Sequence, residues 1–198
     1  MRTIYAGVAL LIALTGLHAE TISVYIEDHA GVPGSLLYLA KDKAEKIFQA
    51  ANVDVVWHNG NLESTSPEEQ PPILVQILRD ALASEHRRAL AFAHAFGNGG
   101  ITVLFERVRA SMPEAPSMSL AYVLVHEITH ILEGLDRHSE TGIMKGNWNW
   151  DDHSAMRRGR LALSVEDVHL IHVGLAARLA RSLTPPCPTA SSWSTAHR

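Results

Sequence analysis

The sequence is nearly free of cysteine. Its single cysteine, Cys187, excludes an intrachain disulfide framework and a zinc site built from thiolates. It also lacks an excess of basic residues. The 17 Lys and Arg stand against 21 Asp and Glu, a formal net charge of −4, so we expect no general attraction for nucleic acid. Charged residues are 19% and apolar residues 46% of the 198 positions, the balance of a globular protein. Histidine, in contrast, is abundant, with twelve copies.

A long apolar run is found only at the N-terminus, from Ile4 to Leu17. The run is shorter than the roughly 20 residues that a transmembrane helix needs. It follows the positive start Met1-Arg2 and ends close to the small residue Ala19. This pattern predicts a secretory signal peptide over 1–19 that is cleaved after Ala19, with an uncleaved anchor as the alternative. We therefore expect a secreted or periplasmic protein, with no stable membrane insertion after cleavage.

Residues 20–183 predict a single α+β domain with a mixed, twisted sheet, and the Pro-, Ser- and Thr-rich residues 184–198 predict a flexible tail. Ser35 is expected to cap the first helix, and the chain after Phe105 to form a loop through Pro113 and Pro116. Alternation predicts the strands and helical spacing predicts the helices. The predicted strands are Thr21–Asp28, Val53–Trp57, Ile73–Leu78 and Ile101–Phe105; the predicted helices run from Ser35 to Ala51, from Ser117 to Glu133 and from Ser164 to Ser182; Ala81–Ala95 is ambiguous.

The clearest helix contains the motif His126-Glu127-Ile128-Thr129-His130. Residues four apart share one face of an α-helix, so both imidazoles can reach one metal ion, and Zn²⁺ suits neutral imidazole ligands. Glu127 lies between them, turned so that its carboxylate contacts a zinc-bound water rather than the metal. Zinc lowers the pKa of such a water toward about 7, and a carboxylate can then accept its proton. The motif predicts a hydrolytic Zn²⁺ site with Glu127 as the catalytic residue.

Two histidines and a water leave such a site one protein ligand short. Gly134 can end the helix in a left-handed conformation, after which the chain turns through Leu135, Asp136 and Arg137 to His138. A third ligand needs a turn of this kind if it is to approach the metal from outside the helix. A second turn then leads to Met144.

The whole segment HEITHILEGLDRHSETGIM resembles the active site of the metzincin zinc peptidases, closest to the matrixin branch. The resemblance implies that His126, His130 and His138 are the zinc ligands, Glu127 the general base and Met144 the residue of the Met-turn. Two further features are similar to matrixins: Ser139 directly after the last histidine, and the stretch Ser164 to Val168 at the start of the last helix. The family implies a metzincin-like fold with an active-site helix and a C-terminal helix, and a peptide or protein substrate.

The spacing departs from the family pattern. Metzincins place the third ligand six residues after the second histidine, whereas His138 comes eight residues after His130. Asp136 stands at the family's spacing, and some metzincins use Asp there. We favour His138, because Ser139 and Met144 follow it as in the family and a longer turn can accommodate two extra residues. Asp136 stays open as the alternative ligand.

Two other acids near the motif have ordinary structural interpretations. Glu133 lies one turn beyond His130, but three ligands in a row along one helix converge poorly, so it is expected to be a polar helix end. Glu166 could be the downstream ligand of a gluzincin peptidase. Ser164 and Asp167, however, form a capping box pattern that explains Glu166 as a first-turn acid.

The segment after Met144, the last predicted strand and three further histidines each have a functional and a structural interpretation. Residues 148–150 come shortly after Met144. In the family that this segment resembles, the chain there helps to shape the pocket for the substrate residue after the scissile bond; the alternative is a packed loop. The strand Ile101–Phe105 could be an edge to which a peptide adds, although a core strand is the safer assumption. Three histidines are expected to be surface or packing residues: His153, His169 and His172.

These observations predict an exported, single-domain zinc metalloendopeptidase. Two alternatives stay open. One is a gluzincin-like peptidase with Glu166 as third ligand, and the other is a non-catalytic, zinc-stabilised binding module.

Overall fold

The computed structural model describes residues 19–60, 71–80, 89–93 and 100–183. The predicted signal peptide up to residue 18, the predicted tail 184–198 and much of the ambiguous segment Ala81–Ala95 lie outside the described residues. None of the helices in the described ranges is both long enough and apolar enough to cross a membrane.

Five strands form one mixed sheet in the spatial order β2-β1-β3-β5-β4. β2, β1, β3 and β5 run parallel to one another, and β4 runs antiparallel to β5 at one edge. The prediction of a mixed sheet is confirmed. The strands are β1 (Glu20–Asp28), β2 (Val53–Asn59), β3 (Ile73–Leu78), β4 (Ala91–Ala93) and β5 (Gly100–Leu104).

Alternation along the strands directs one face of the sheet to the core. Ile22, Val24 and Ile26 of β1 are buried, whereas Thr21, Ser23 and Glu27 are exposed or half-buried; Tyr25, on the other face, is buried and stacks on the ring of His58. Successive side chains of a strand point to opposite faces, so Ile22, Val24 and Ile26 lie on one face. The helices pack there. They are α1 (Gly34–Ala50), α2 (Phe105–Ser111), α3 (Pro116–Glu133), α4 (Trp150–Arg157) and α5 (Val165–Leu183).

Helix α3 lies at the centre of the molecule, in contact with α1, α2, α4, α5, β4 and β5. Every residue from Ser119 to Glu133 is buried. A helix that is apolar nearly all round is expected to be enclosed in this way. Full burial of a Leu or Ile side chain contributes about 1.5–3 kcal/mol, and several such residues of α3 offset the cost of burying polar residues in the same helix.

Three local expectations are wrong. α1 begins at Gly34 after Pro33 without a side-chain cap, so Ser35 lies inside the first turn. The carboxylate of Asp28 instead organises the preceding turn by accepting the N–H groups of Ala30, Gly31 and Val32.

The chain after Phe105 is also not a loop, since it forms α2, which buries Phe105 and Val108. The segment after Met144, expected to be irregular, contains α4. There Asn149 and Asp152 form a reciprocal capping box. The two helices have only 7 and 8 residues, too few for an apolar period to reveal them.

Helices α3 and α5 cross at Gly174 with almost no space between their backbones. A methyl group at Gly174 would lie 1.8 Å from the carbonyl oxygen of Leu132. The obstacle is backbone rather than a flexible side chain, so glycine is what permits this crossing.

Replacing Gly174 with Ala is expected to destabilise the protein by about 1–3 kcal/mol, because the helices must separate. This holds even though Ala is intrinsically preferred over Gly in a helix by about 1 kcal/mol. Urea unfolding would measure the change. Gly34→Ala is the matched control, because nothing lies within 4 Å of a methyl group there. Equal stability of the two variants would contradict the close crossing.

Candidate metal centre

Helix α3 presents His126 and His130 on one face, one turn apart. Gly134 then ends the helix in the left-handed conformation, with φ 65° and ψ 27°, and its N–H donates to the carbonyl oxygen of His130. The predicted reversal is present, and it returns the chain toward the two histidines, where it delivers His138.

The three histidines form one cluster. A ring nitrogen from each of His126, His130 and His138 lies within 4.8 Å of the others, and among the described residues this is the one group with the spacing of a metal site. His126 and His130 are buried, and His138 is exposed. The structure therefore brings together the three residues that the sequence nominated as ligands.

Hydrogen bonds orient the two helical rings. Nδ1 of His126 lies 2.9 Å from the carbonyl oxygen of Ile143, and Nδ1 of His130 lies 3.1 Å from that of Leu135. A carbonyl oxygen only accepts, so each neutral ring carries its proton on Nδ1. The two Nε2 atoms, 3.1 Å apart, then face each other with lone pairs and no proton between them. Converging lone pairs of this kind fit a bound cation.

Burial keeps these imidazoles neutral. It lowers the pKa of His126 to about 4, although the hydrogen bond to Ile143 works in the opposite direction. Burial also lowers the pKa of His130. A histidine binds metal in its neutral form, so both rings are in the ligating state at neutral pH before any metal arrives.

Glu127 faces the same cleft. It is 7% exposed, and burial raises the pKa of its carboxyl group to about 8. A hydrogen bond from the backbone N–H of Ala93 in β4 lowers this pKa, and the negative charge of Asp136 raises it. Strand β4 thus holds the carboxylate of Glu127 in place.

The second turn closes the site from the other side. The N–H of Ser139 donates to the carbonyl oxygen of Met144 over 2.7 Å, and the Met144 side chain is fully buried. Gly142 has φ 79°, and a methyl group there would lie 2.6 Å from the carbonyl oxygen of Ala162, so glycine is required. Gly146 packs on the ring of His138, since a methyl group at that position would lie 3.3 Å from it.

The rival acids lie outside the histidine cluster. Asp136 is exposed and borders a cavity beside the histidines. Glu133 is buried, and its Oε2 lies 3.3 Å from Nε of Arg137. It is therefore a member of an ion pair rather than only the polar helix end that the sequence predicted. Glu166 is exposed in the first turn of α5.

The predicted capping box of α5 is confirmed. The N–H of Ser164 donates to Asp167 over 2.8 Å, and the N–H of Asp167 donates to the hydroxyl of Ser164 over 3.1 Å.

The three histidines expected at the surface or in packing, His153, His169 and His172, lie in different parts of the molecule. His172 contacts the carboxylate of Glu20 at 2.5 Å and the carbonyl oxygen of Ala51 at 3.0 Å, so it joins α5 to the start of β1. His169 is exposed, and His153 lines a cavity next to the histidine cluster.

Two cavities flank the cluster, with volumes of about 400 and 370 Å³. Both are lined by His126, Glu127 and His138, and both are bordered by Ala89 and Ala91 at β4. The larger one extends to Trp148 in the segment after Met144. The cleft therefore continues on both sides of the histidines.

The possibility that β5 is an exposed edge is not realised, because β5 pairs with β3 on one side and β4 on the other. Within the described part of the chain the edge strands are β2 and β4, and β4, in a segment that sequence reasoning left ambiguous, is the one that borders the histidine cluster. Its three residues, Ala91–Ala93, are too few to show a period.

Solved structures resemble this chain, whereas no family model and no curated protein matches it. The crystal structure of archaemetzincin from Methanopyrus kandleri aligns with a TM-score of 0.57 and 14% identity, over 83% of this chain and 99% of that one. The chain has the archaemetzincin fold.

The crystal structure of a zinc-dependent peptidase from Methanocorpusculum labreanum aligns with a TM-score of 0.52 and 15% identity, over 75% of this chain and 99% of the other. The predicted α+β, metzincin-like fold is thus confirmed. Neither archaemetzincin nor the second neighbour is described as a matrixin, so the matrixin branch stays a prediction.

The raised pKa of Glu127 predicts how the stability of the metal-free protein depends on pH. The folded state holds the proton up to about pH 8, whereas a free Glu releases it near 4.5. Between these values the folded state binds more protons than the unfolded state, so stability falls as pH rises. Glu127→Gln removes this loss, and its advantage over the parent should grow by about 2–4 kcal/mol from pH 5 to pH 9.

Urea unfolding in the presence of a chelator would measure this difference. Glu140→Gln, at an exposed position two residues after His138, is the control and should follow the parent. Parallel pH profiles for the parent and Glu127→Gln would contradict the assignment of a buried, protonated carboxyl group.

Proposed function

We propose that this protein is a zinc-dependent metallopeptidase that cleaves within peptide chains, with His126, His130 and His138 as ligands and Glu127 as general base. The observation that carries the proposal is the convergence of three ring nitrogens within 4.8 Å, two of them with lone pairs directed at each other, beside a buried carboxylate. The fold that it shares with archaemetzincin and with a zinc-dependent peptidase supports the same conclusion.

The protein's own residues supply the proton transfers of peptide hydrolysis. Zn²⁺, when bound by the histidines, supplies a Lewis acid that polarises a carbonyl oxygen and lowers the pKa of a water molecule. Glu127 accepts a proton from the attacking water and donates it to the leaving amine. The N–H of Ala93 holds the carboxylate toward the cleft, and its burial makes it a stronger base than an exposed Glu.

The cleft favours an extended peptide as substrate. β4 is an edge strand of the described sheet and borders both cavities, so an extended peptide can lie along it. Because the cleft continues beyond the histidines in both directions, a chain can extend past the site at both ends. This arrangement supports an endopeptidase rather than an enzyme that removes terminal residues.

The proposed peptidase is an exported protein. Residues 1–19 have the pattern of a cleaved signal peptide, and β1 begins at Glu20, directly after the predicted cleavage position. An exported chain whose first residue is Glu20 would support this part of the proposal, and a retained Met1 would overturn it.

Replacing Glu127 with Gln tests the catalytic role. The variant should keep one zinc per chain and lose on the order of 100- to 10,000-fold in turnover, because it removes proton transfer and leaves the ligands in place. A library of peptides blocked at both ends would measure cleavage, with Glu140→Gln as the matched control. A chelator should abolish the activity of the parent, and added zinc should restore it.

The outcomes separate the alternatives. Retained turnover in Glu127→Gln would rule out the general base. A parent that binds zinc tightly but cleaves no peptide would be the non-catalytic module.

Zinc content of two further variants tests the third ligand. His138→Ala should bind zinc far more weakly than the parent, whereas Asp136→Ala should stay close to it, because Asp136 lies outside the histidine cluster. Metal analysis after equilibration at a fixed free zinc concentration would measure both. Loss of zinc chiefly in Asp136→Ala would keep the peptidase and move the third ligand.

A further inference from the structure

We propose that Arg137 is a positioning residue whose guanidinium group fixes the turn that presents His138 to the metal. This inference rests on the proposed zinc site. It concerns the two extra residues by which this turn departs from the metzincin spacing.

The neighbours of His138 on both sides are attached to one buried carboxylate. Nη2 of Arg137 donates to Oδ1 of Asp167 over 2.7 Å, and the hydroxyl of Ser139 donates to the same oxygen over 2.7 Å. Nη1 of Arg137 also donates to the hydroxyl of Ser139 over 3.2 Å. The backbone of His138 is therefore held between two residues that share an anchor on α5.

A second carboxylate steadies the same guanidinium from α3. Nε of Arg137 lies 3.3 Å from Oε2 of Glu133, an ionic contact without hydrogen-bond alignment, so Asp167 is the stronger anchor. The side chains of Glu133 and Asp167 are fully buried, and that of Arg137 is a quarter exposed. Without Arg137 the fully buried carboxylate of Asp167 would have lost its ion-pair partner, which is unfavourable unless the turn moves.

His138 needs such an anchor more than the other two ligands do. Nδ1 of His126 and Nδ1 of His130 are each fixed by a carbonyl oxygen, and both rings are buried. His138 is exposed, and its ring forms no hydrogen bond with the described residues; it packs on the rings of His126 and His130 and on Gly146. Since no partner orients this ring directly, its position depends on how firmly its backbone is held.

The chemistry of Arg suits this task better than that of Lys. A guanidinium group carries five N–H donors in a rigid fork, so it can contact Glu133, Ser139 and Asp167 at once. An ammonium group is a single point and cannot span acceptors on α3, the turn and α5. Charge alone is therefore not enough to keep the turn in place.

Zinc affinity tests the proposal directly. Arg137→Gln is expected to bind zinc about 10- to 100-fold more weakly than the parent, the usual loss when a partner of a metal ligand is removed. Competition with a chromophoric chelator would measure the dissociation constant. The control is Arg109→Gln, which removes an exposed ion pair with Glu106 and should leave zinc affinity unchanged. His138→Ala sets the scale for complete loss of the ligand.

Two further measurements separate positioning from mere stability. The absorption spectrum of the Co²⁺-loaded Arg137→Gln protein should shift toward that of His138→Ala, because the third ligand is displaced. The double variant Arg137→Gln with Asp167→Asn should bind zinc little worse than Asp167→Asn alone, since Arg137 acts through Asp167, which also holds Ser139.

If Arg137→Gln does not fold, Arg137→Lys decides. Lys keeps the charge but loses the fork, and an about tenfold weaker zinc affinity is expected. Zinc affinity equal to the parent's in whichever variant folds would overturn the inference, even if its unfolding midpoint falls, while the zinc site itself would stand. A parent that binds no zinc would overturn the proposed function and this inference with it.

Discussion

Helix α3 is enclosed on all sides, and this enclosure constrains the rest of the molecule. The helix brings several polar residues into the interior, including His126, Glu127, His130 and Glu133. A buried polar group is costly unless it finds a partner, so partners for these four side chains must come from neighbouring segments. The carbonyl oxygens of residues 143 and 135, the N–H of residue 93 and the guanidinium of residue 137 do so. The two turns after α3 and the short strand β4 are arranged around these partners.

Burial in α3 shifts the pKa values of the adjacent residues His126 and Glu127 in opposite directions. Burial disfavours charge, so it lowers the pKa of His126 and raises the pKa of Glu127. The imidazole becomes a neutral donor of a lone pair, and the carboxyl group becomes a stronger base. One environment thus favours both a ligand and a proton acceptor. A metal ion at the cluster would then add its own positive charge and shift Glu127 back toward the ionised form.

The turn between the second and third histidine shows how the fold accommodates an unusual spacing. His138, the proposed third ligand, comes eight residues after His130, two more than the ligand spacing of the metzincins that this segment resembles. Arg137 lies within the longer turn and contacts Asp167 on α5. Helix α5 crosses α3 closely at Gly174. The position of the exposed third histidine is therefore connected to the packing of two helices.

Much of the candidate site follows from local sequence. The helical period places His126 and His130 on one face of α3, the glycine at 134 permits the left-handed reversal, and Ser164 with Asp167 caps α5. Each of these depends on residues at most four positions apart, so the chain itself specifies it. The same is true of the strands β1, β2, β3 and β5, whose β-rich segments are visible directly.

Other features depend on residues far apart in the chain. Packing between elements decides three of them. It brings His138 rather than Asp136 to the cluster, it places β4 beside the cleft, and it pairs Asp167 with the guanidinium of Arg137. Arg137 and Asp167 are 30 residues apart, and the N–H of Ala93 meets a carboxylate on a different element. Sequence determined the motif and its helix through local periodicity and capping. Only the tertiary structure decided the third histidine's position and the edge of the cleft, because these depend on contacts between separate elements.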